Sequence, residues 1–188
     1  MAVETLTSIF LGIGLAASVG FRVFVPLFIL SLAAYFNVWE LNESWQWVGS
    51  LAAVITLGVA TLVEIFAYYI PYVDNVLDAI AIPLATVAGT AVMVASVTQL
   101  DPIITWALAI IAGGGTATAI KSAAGATRVT STVSTAGFGN PMVSTVETGT
   151  SFVLSALAVF LPVLAFVFTL FILYLMFKFY KKIRRSKP

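Results

Sequence analysis

Two cations and a dense run of hydroxyl side chains lie in residues 113–141, which read GGGTATAIKSAAGATRVTSTVSTAGFGNP. Written as a helix, the polar and small residues of this stretch fall three or four apart and share one face. These positions are Thr118, Lys121, Gly125, Arg128, Thr132 and Thr135. The other face carries Ile120, Ala124 and Val133. The spacing therefore predicts a helix with one polar stripe that holds two positive charges.

The chain around this stripe is apolar. Of its 188 residues, 61% are hydrophobic and only 9% are charged, and the mean hydropathy is +1.07. A soluble domain carries about 25% charged residues. The composition therefore predicts an all-α, polytopic helical membrane protein with about five membrane segments, including kinked or re-entrant discontinuous helices. We expect residues 1–188 to form a single transmembrane domain.

The composition also narrows the chemistry. The sequence has no cysteine and no histidine, which argues against disulfides, thiol catalysis and the common transition-metal sites. The usual general base near neutral pH is missing as well. We expect no enzymatic activity, no metal, no cofactor and no nucleic-acid partner.

The polar stripe at 118–135 has three interpretations in a membrane. It lines a water-accessible cavity, or it is a small-residue helix buried against its neighbours, or it is an amphipathic helix partly outside the membrane. The three preceding glycines predict a break, because glycine costs about 1 kcal/mol in a helix interior. The run at 137–141, GFGNP, predicts where the helix ends. A short helix, a break and a polar-striped helix are typical of discontinuous membrane helices that line a polar cavity.

Arg22 and Glu64 are charged residues inside other apolar segments. Such groups cost at least about 2.5–3.5 kcal/mol at membrane depth, so they need partners or water. Arg22 lies in GFRVFVP, where it could bind a phosphate or carboxylate, or form a structural ion pair. Glu64 is four residues from Tyr68 and either belongs to an aromatic belt or pairs with a buried cation, for which Arg22, Lys121 and Arg128 are the candidates. A paired carboxylate of this kind could carry a proton.

Three more acids, Asp74, Asp78 and Glu147, extend the set of candidate site residues. Asp74 and Asp78 are four residues apart at the edge of an apolar segment, and Glu147 precedes the last one. Acids near a helix N-terminus are stabilised by the helix dipole, which is one account of all three. The other account is that they form ion pairs with the cations of the stripe and line the same cavity.

The elements that must position these residues are the apolar segments at about 6–36, 47–70, 76–97, 103–112 and 151–177. The first is too long for one span and contains Gly20, Arg22 and Pro26, so it is either one kinked helix or a re-entrant pair. The fourth is too short to span. Asp101 and Pro102 have the pattern of an N-cap and a first helical residue.

The charges near the ends of the chain predict its orientation. Residues 178–188 carry six of the nine cations and are expected to be a basic cytoplasmic tail that can contact anionic lipid headgroups. Residues 37–47 are acidic and hold three tryptophans, which is typical of an outer interfacial loop. With five simple spans and a cytoplasmic C-terminus, residues 37–47 would lie on the cytoplasmic side, which conflicts with the prediction of an outer loop. A re-entrant element at 6–36 or at 103–145 would remove the conflict.

Several phrases of the sequence resemble a family of bacterial integral membrane proteins described as domain of unknown function 4126. They are GFRVFVPLFILSLAAYF, IPYVDNVLDAIAIPLATVAGT, GGGTATAIKSAAGATR, STAGFGNP and VETGTSFVLSALAVFLP, and they cover about residues 6–165. The resemblance implies a membrane location. It implies no activity and supplies no catalytic residues.

These patterns favour a small transporter or channel of the bacterial inner membrane, with a polar cavity for a small anion or an anionic headgroup. The alternative is a non-transporting membrane protein that binds lipid or scaffolds membrane partners. A homo-oligomer fits the small size of the chain, because a single copy offers few walls for a pathway.

Overall fold

The computed structural model describes residues 2–185, and at 71, 72, 75, 179, 180 and 182–185 it describes the backbone alone. The described chain is built of α-helices, which confirms the all-α prediction. They are α1 (Ala2–Val19), α2 (Phe24–Tyr35), α3 (Leu51–Ala67), α4 (Pro71–Ser96), α5 (Pro102–Leu108), α6 (Gly115–Thr135), α7 (Asn140–Phe160) and α8 (Pro162–Arg185). A 3₁₀ helix, Glu43–Gly49, precedes α3, and a π-helical segment, Ala109–Gly114, joins α5 to α6.

Four of the described helices are long and apolar enough to cross a membrane. They are Ala2–Val19, Val76–Ser96, Pro102–Thr135 and Asn140–Phe160. The 3₁₀ helix and α3 together make a fifth candidate, bent by 67° where they meet. Ser50 lies at this bend, and its side chain accepts a hydrogen bond from the Ala53 N–H and so caps α3. The fold is therefore that of a multi-pass membrane protein with about five spans, as the composition predicts.

Helix α1 runs antiparallel to α7, and the chain reverses direction where α1 ends. The Ser18 hydroxyl, in the last turn of α1, is 2.8 Å from the Ser151 hydroxyl in the middle of α7. Arg22 lies beyond α1 and donates from Nη2 to the carbonyl oxygen of Ser144, two turns nearer the start of α7 (3.0 Å). Gly20 sits in the reversal, where an added Cβ would lie 2.5 Å from the Cβ of Ile120.

Helix α2 then returns toward the end of the bundle from which α1 started. The Trp39 indole donates to the carbonyl of Val159 at the C-terminal end of α7 (2.8 Å). The Asn42 N–H donates to the carbonyl of Ala95 at the C-terminal end of α4 (2.9 Å). Helices α1 and α2 are thus a helical hairpin with its tip at the opposite end of the bundle, so residues 6–36 are not one kinked helix.

The three glycines at 113–115 do not break the helix, and the predicted discontinuity at this point is wrong. The chain is helical from Pro102 to Thr135. An added Cβ on Gly113 would lie 2.5 Å from the carbonyl oxygen of Gly89, because the backbones of α4 and the π-helical segment touch. This close packing offsets the low helix propensity of glycine.

The glycines of this run are expected to differ in their tolerance of a methyl group. Gly113→Ala should destabilise the protein by about 1–3 kcal/mol, because the new Cβ meets backbone that cannot move aside. Gly115→Ala should be neutral or stabilise by up to about 1 kcal/mol, since nothing lies within 4 Å of its added Cβ. Thermal unfolding of the two purified variants in one detergent tests the pair, and equal losses would contradict the packing account.

The remaining boundaries combine confirmed and corrected predictions. Asp101 caps α5 by accepting a hydrogen bond from the Ile103 N–H (2.8 Å), and Pro102 is its first residue, as predicted. The single segment predicted at 151–177 is instead divided at Pro162, which lacks the N–H that a continuous helix needs. Helix α8 reaches Arg185, so the end of the predicted tail at 178–188 lies outside the described residues.

Candidate functional site

Three cations surround the ring of Tyr68 at the tip of the α1–α2 hairpin. The distance to the ring centroid is 3.9 Å from Arg22 Cζ, 4.5 Å from Arg128 Cζ and 5.4 Å from Lys121 Nζ. All three fall within the about 6 Å reach of a cation–π contact. Arg22 comes from the chain reversal and Tyr68 from the end of α3. Lys121 and Arg128 are two turns apart on one face of α6, as the predicted stripe requires.

Arg128 is buried and fully engaged by acids and a hydroxyl. Its Nε lies 3.1 and 3.2 Å from the two carboxylate oxygens of Glu147, and its Nη2 lies 2.9 Å from the Ser144 hydroxyl. Its Nη1 donates to Asp74, and Asp78 is more distant at 3.9 Å. Arg128 therefore links α6 to the start of α4 and to α7. Asp74, Asp78 and Glu147 all lie beside this cation of the stripe, so they do more than stabilise helix N-termini.

Arg22 is fully buried but incompletely hydrogen-bonded. Its Nε donates to the Thr148 hydroxyl (2.9 Å) and its Nη2 to the Ser144 carbonyl. Its Nη1 is 3.3 Å from a Glu147 oxygen, yet in that geometry it has no hydrogen-bond partner among the described residues. Arg22 thus forms the ion pair that the sequence offered as one alternative. It also retains a buried donor without an acceptor.

Lys121 is the least compensated charge of the group. Only 3% of the residue is exposed. Among the described residues its single hydrogen-bond partner is the Tyr68 hydroxyl at 3.4 Å, which is long for such a bond. No carboxylate of the described chain lies within 4.0 Å of its ammonium group. A buried cation in this position needs an acceptor that the described chain does not provide.

Glu64 does not make the predicted ion pair with Arg22, Lys121 or Arg128. Its two carboxylate oxygens accept hydrogen bonds from the backbone N–H groups of Val23 (2.8 Å) and Phe24 (2.9 Å). These N–H groups begin α2, and a helix N-terminus offers free donors and a partial positive charge. The buried carboxylate therefore anchors the tip of the α1–α2 hairpin to α3.

The part of the predicted stripe nearer the N-terminus of α6, from Thr118 to Arg128, faces the interior of the bundle. The Thr118 hydroxyl bonds to the Thr86 hydroxyl of α4 (2.6 Å), and Gly125 is half-buried with nothing within 4 Å of an added Cβ. Ile120, on the face predicted to pack, is also buried. Both sides of α6 are therefore covered at this level of the bundle.

The part of the stripe nearer the C-terminus of α6, Thr132 and Thr135, is exposed and does not contact the charged cluster. Thr132 accepts a hydrogen bond from the Asn140 amide (3.1 Å), and Thr135 accepts one from the Gly139 N–H (2.9 Å). Both residues shape the turn between α6 and α7. Val133 was predicted on a packed face but is 83% exposed, so that prediction is wrong for this residue.

Sequence reasoning missed the residues of α7 that complete the site. Ser144, Thr148 and Ser151 join Glu147 on one face of α7, and Ser144, like Glu147, contacts both arginines. Their spacing of three to four residues was a readable signal of a polar helical face. Tyr68 was the other omission, because a tyrosine beside a proline resembles an interfacial residue as closely as a buried one.

An apolar crevice of 380 Å³ lies between α6 and α7 beside the cluster. Its walls include Ala124, Val143 and Val146, and it also touches Phe21 and Glu147. Phe21 directly precedes Arg22, and Glu147 is the acid that both arginines contact. The crevice therefore ends at the charged cluster.

The charges of the cluster do not cancel locally. Three cations, Arg22, Lys121 and Arg128, lie near four acids, so the cluster holds one more formal negative charge than positive. Two of the acids differ from the others in their surroundings: the Glu64 carboxylate accepts hydrogen bonds from the α2 amides, and the side chain of Asp78 is 29% exposed.

The fold and this site define a polytopic helical membrane protein with a buried charged cluster at the tip of a helical hairpin. The chain belongs to the family described as Domain of unknown function (DUF4126), whose model matches residues 9–182. This membership confirms the resemblance drawn from the sequence phrases. No curated protein and no solved structure matches the chain.

Proposed function

We propose that the protein is a small membrane transporter or channel for a small anion or an anionic headgroup. The observation that carries the proposal is the pair of buried cations, Arg22 and Lys121, whose hydrogen-bond capacity the described chain does not fill. Buried donors without acceptors are rare in proteins and commonly mark an absent water or ion. An anion beside Tyr68 would provide an acceptor for both donors.

The residues around Tyr68 have two roles. Some hold the helices together, and others offer hydrogen-bond donors to a ligand. Arg128, with Asp74 and Glu147, holds α4, α6 and α7 together and has no hydrogen bond to spare. Glu64 fixes the start of α2, so that Arg22 is presented at the tip. In this conformation the cluster is closed, and passage of a ligand requires the tip or α6 to move.

We place the protein in the bacterial inner membrane as a multi-pass protein with a cytoplasmic C-terminus. The basic residues at 178–188 support this side, because cytoplasmic segments carry an excess of lysine and arginine. The same segment would contact anionic lipid headgroups. Neither enzymatic activity nor a nucleic-acid partner forms part of the proposal, and a homo-oligomer would supply further walls for a pathway.

The alternative function, a non-transporting protein that binds lipid or scaffolds partners, is favoured by the closure of the cluster. Arg22, Glu64, Lys121 and Arg128 are all buried, and Arg128 is fully ion-paired. A permanently closed network would serve stability alone. The two functions differ in whether water and ions reach the cluster.

Thiol labelling of Ser144→Cys tests this difference, since the chain has no cysteine of its own. Ser144 contacts both arginines, and the exchange is nearly isosteric. We expect slow labelling in membranes by a membrane-impermeant anionic thiosulfonate, at a rate at least about tenfold above that of its cationic analogue, because a positive site concentrates anions.

Two control variants give the fastest and the slowest labelling rates expected in this experiment. Thr132→Cys, at the exposed turn, should react rapidly with both reagents, and Val153→Cys, on the apolar outer face of α7, should stay silent. If Ser144→Cys is as silent as Val153→Cys while Thr132→Cys reacts, the cluster is closed to solution and the structural alternative replaces transport.

A further inference from the structure

We propose that the charged cluster binds a proton at Asp78 and that this proton accompanies the anion of the proposed function. The proton site goes beyond that function, and its coupling to an anion rests on it. Two observations carry the inference. The cluster holds four acids against three cations, and one of these acids makes no hydrogen bond with any described residue.

The other three acids of the cluster already have the donors that their charged forms need. Glu64 accepts hydrogen bonds from two backbone N–H groups at the start of α2. Glu147 accepts hydrogen bonds from Nε and Nη2 of Arg128 and lies 3.3 Å from Arg22 Nη1. Asp74 accepts a hydrogen bond from Arg128 Nη1. A proton on any of these carboxylates would weaken charge-assisted or backbone hydrogen bonds, so it is not expected there.

Asp78 lies in different surroundings. Its Oδ1 is buried and accepts no hydrogen bond from any described residue. Its Oδ2 is 3.9 Å from Arg128 Nη1, which is too far for a hydrogen bond, and Asp74 accepts the bond from that donor. A buried carboxylate oxygen without a donor carries the cost of its desolvation, and a neutral carboxyl group carries much less of it. Of the four acids, Asp78 is therefore the one that gains most from a proton.

The ionisable groups that face Asp78 come from α4 itself and from three neighbouring elements. They are Asp74 on α4, Arg128 and Lys121 on α6, Glu147 on α7 and Tyr68 after α3. The two cations and the two acids among these groups cancel, so the charge of Asp78 is the surplus one. One proton on Asp78 brings the whole cluster of three cations and four acids to zero net charge.

Asp78 is also the acid of the cluster that a proton can reach most easily. Its side chain is 29% exposed, whereas the side chains of Asp74 and Glu147 are 4% and 6% exposed. A proton can therefore bind and leave in this closed conformation. Entry of a larger ligand, by contrast, requires the α1–α2 hairpin or α6 to move.

The proton and a bound anion are linked through the charge of the cluster. Arg22 is fully buried, and its Nη1 has no hydrogen-bond partner among the described residues, so it offers a donor to an anion. An anion that enters the unprotonated cluster raises the net negative charge from one to two. With a proton on Asp78, the same anion leaves a net negative charge of one. The affinity for an anion should therefore fall as the pH rises and Asp78 loses its proton.

Infrared difference spectroscopy of the full-length protein in lipid membranes tests the proton site, because a protonated carboxyl group has a C=O stretch that a carboxylate lacks. We expect this band to be present at about pH 6, where a solvated aspartate is ionised, and to disappear at higher pH. Asp78→Asn should remove the band. Glu43→Gln, which removes an exposed acid outside the cluster, should leave it unchanged. Lys121→Gln removes a neighbouring cation and should retain the band to higher pH.

The infrared experiment can overturn the assignment in two ways. Absence of the band in the unaltered protein would mean that all four acids are charged. Survival of the band in Asp78→Asn would place the proton on another residue. Thermal unfolding supplies a matched pair of variants one helical turn apart. Asp78→Asn should unfold no earlier than the unaltered protein, whereas Asp74→Asn should unfold earlier because Arg128 loses a partner.

The coupling to an anion is measured with Ser144→Cys and the two thiosulfonates, as the ratio of the anionic to the cationic labelling rate. The thiolate fraction changes both rates alike and cancels in this ratio. We expect the ratio to fall at least about threefold between about pH 6 and about pH 8, because the local charge becomes more negative. Asp78→Asn in the same background should make the ratio independent of pH. An equal pH dependence in both backgrounds would reject the coupling.

The two measurements separate this inference from the proposed function. If Ser144→Cys stays silent while Asp78→Asn removes the infrared band, the proton site stands and the proposed transport fails. If Ser144→Cys reacts with the anionic reagent but no band is found, transport stands and the proton site is rejected.

Discussion

Replacement of Arg128 by glutamine is expected to lower the free energy of unfolding by about 3–5 kcal/mol, the largest effect of any single exchange in the cluster. Arg128 neutralises Asp74 and Glu147, both of which are buried. Its removal leaves the buried Asp74 carboxylate without its ion-pair partner and leaves Glu147 with Arg22 alone. The hydrogen bonds that join α4 and α7 to α6 are lost in the same step. Chemical or thermal unfolding of the purified variant in detergent measures the loss.

Two further variants show whether the charge is the cause. Lys181→Gln removes an exposed cation of α8 and should change the stability by less than about 0.5 kcal/mol. Arg128→Gln combined with Asp74→Asn removes one stranded carboxylate, so the double variant should be more stable than Arg128→Gln alone. Additive losses in this double-mutant cycle would mean that the two residues are not coupled, contrary to their buried contact.

Glu64→Ala is expected to have the second largest effect, about 2–4 kcal/mol of stability. The exchange leaves the N–H groups of Val23 and Phe24 without acceptors at the buried start of α2. Each unsatisfied buried donor carries the full cost of its desolvation. Hydrogen exchange near the tip should rise as well as overall stability fall, because these two N–H groups have no other acceptor among the described residues.

Hydrogen exchange distinguishes this anchoring role from a simple loss of packing. The amides of Val23 and Phe24 should exchange faster in Glu64→Ala than the amides in the middle of α7. Glu64→Gln keeps one carbonyl acceptor and should lose about half as much stability as the alanine variant. Equal losses in the two variants, with unchanged exchange at the tip, would show that the carboxylate does not hold α2.

The variants of Arg128 and Glu64 also test function, because these two residues hold the helices together, whereas Lys121 is proposed to bind the ligand. If Glu64 anchors the tip, its replacement should alter the thiol reactivity at Ser144 by loosening the tip around Arg22. Arg128→Gln should disturb the same position by separating α6 from α7. Lys121→Gln should weaken the ligand while leaving the fold stable, since it removes a buried charge that has no carboxylate partner in the described chain.

The chain's location in a membrane and the charged face of α6 followed from the sequence by itself. Composition excludes a soluble domain whatever the arrangement of the helices. Lys121 and Arg128 share a face because they are seven residues apart, and that relation holds in any unbroken helix. The end of α6 was equally local, since Ala136 and Gly137 adopt positive φ angles of 51° and 88° in the turn that the GFGNP run predicts.

Only the tertiary structure decided where the helices break and which groups the charges meet. Three glycines continue a helix at 113–115 because the backbone of α4 packs on them, while the chain reverses near Gly20. Glu64 binds amides 41 residues away rather than a cation. Helical periodicity fixes the direction of a side chain on its own helix. The partner depends on which helix packs opposite, and that is set by the free energy of burying the whole bundle.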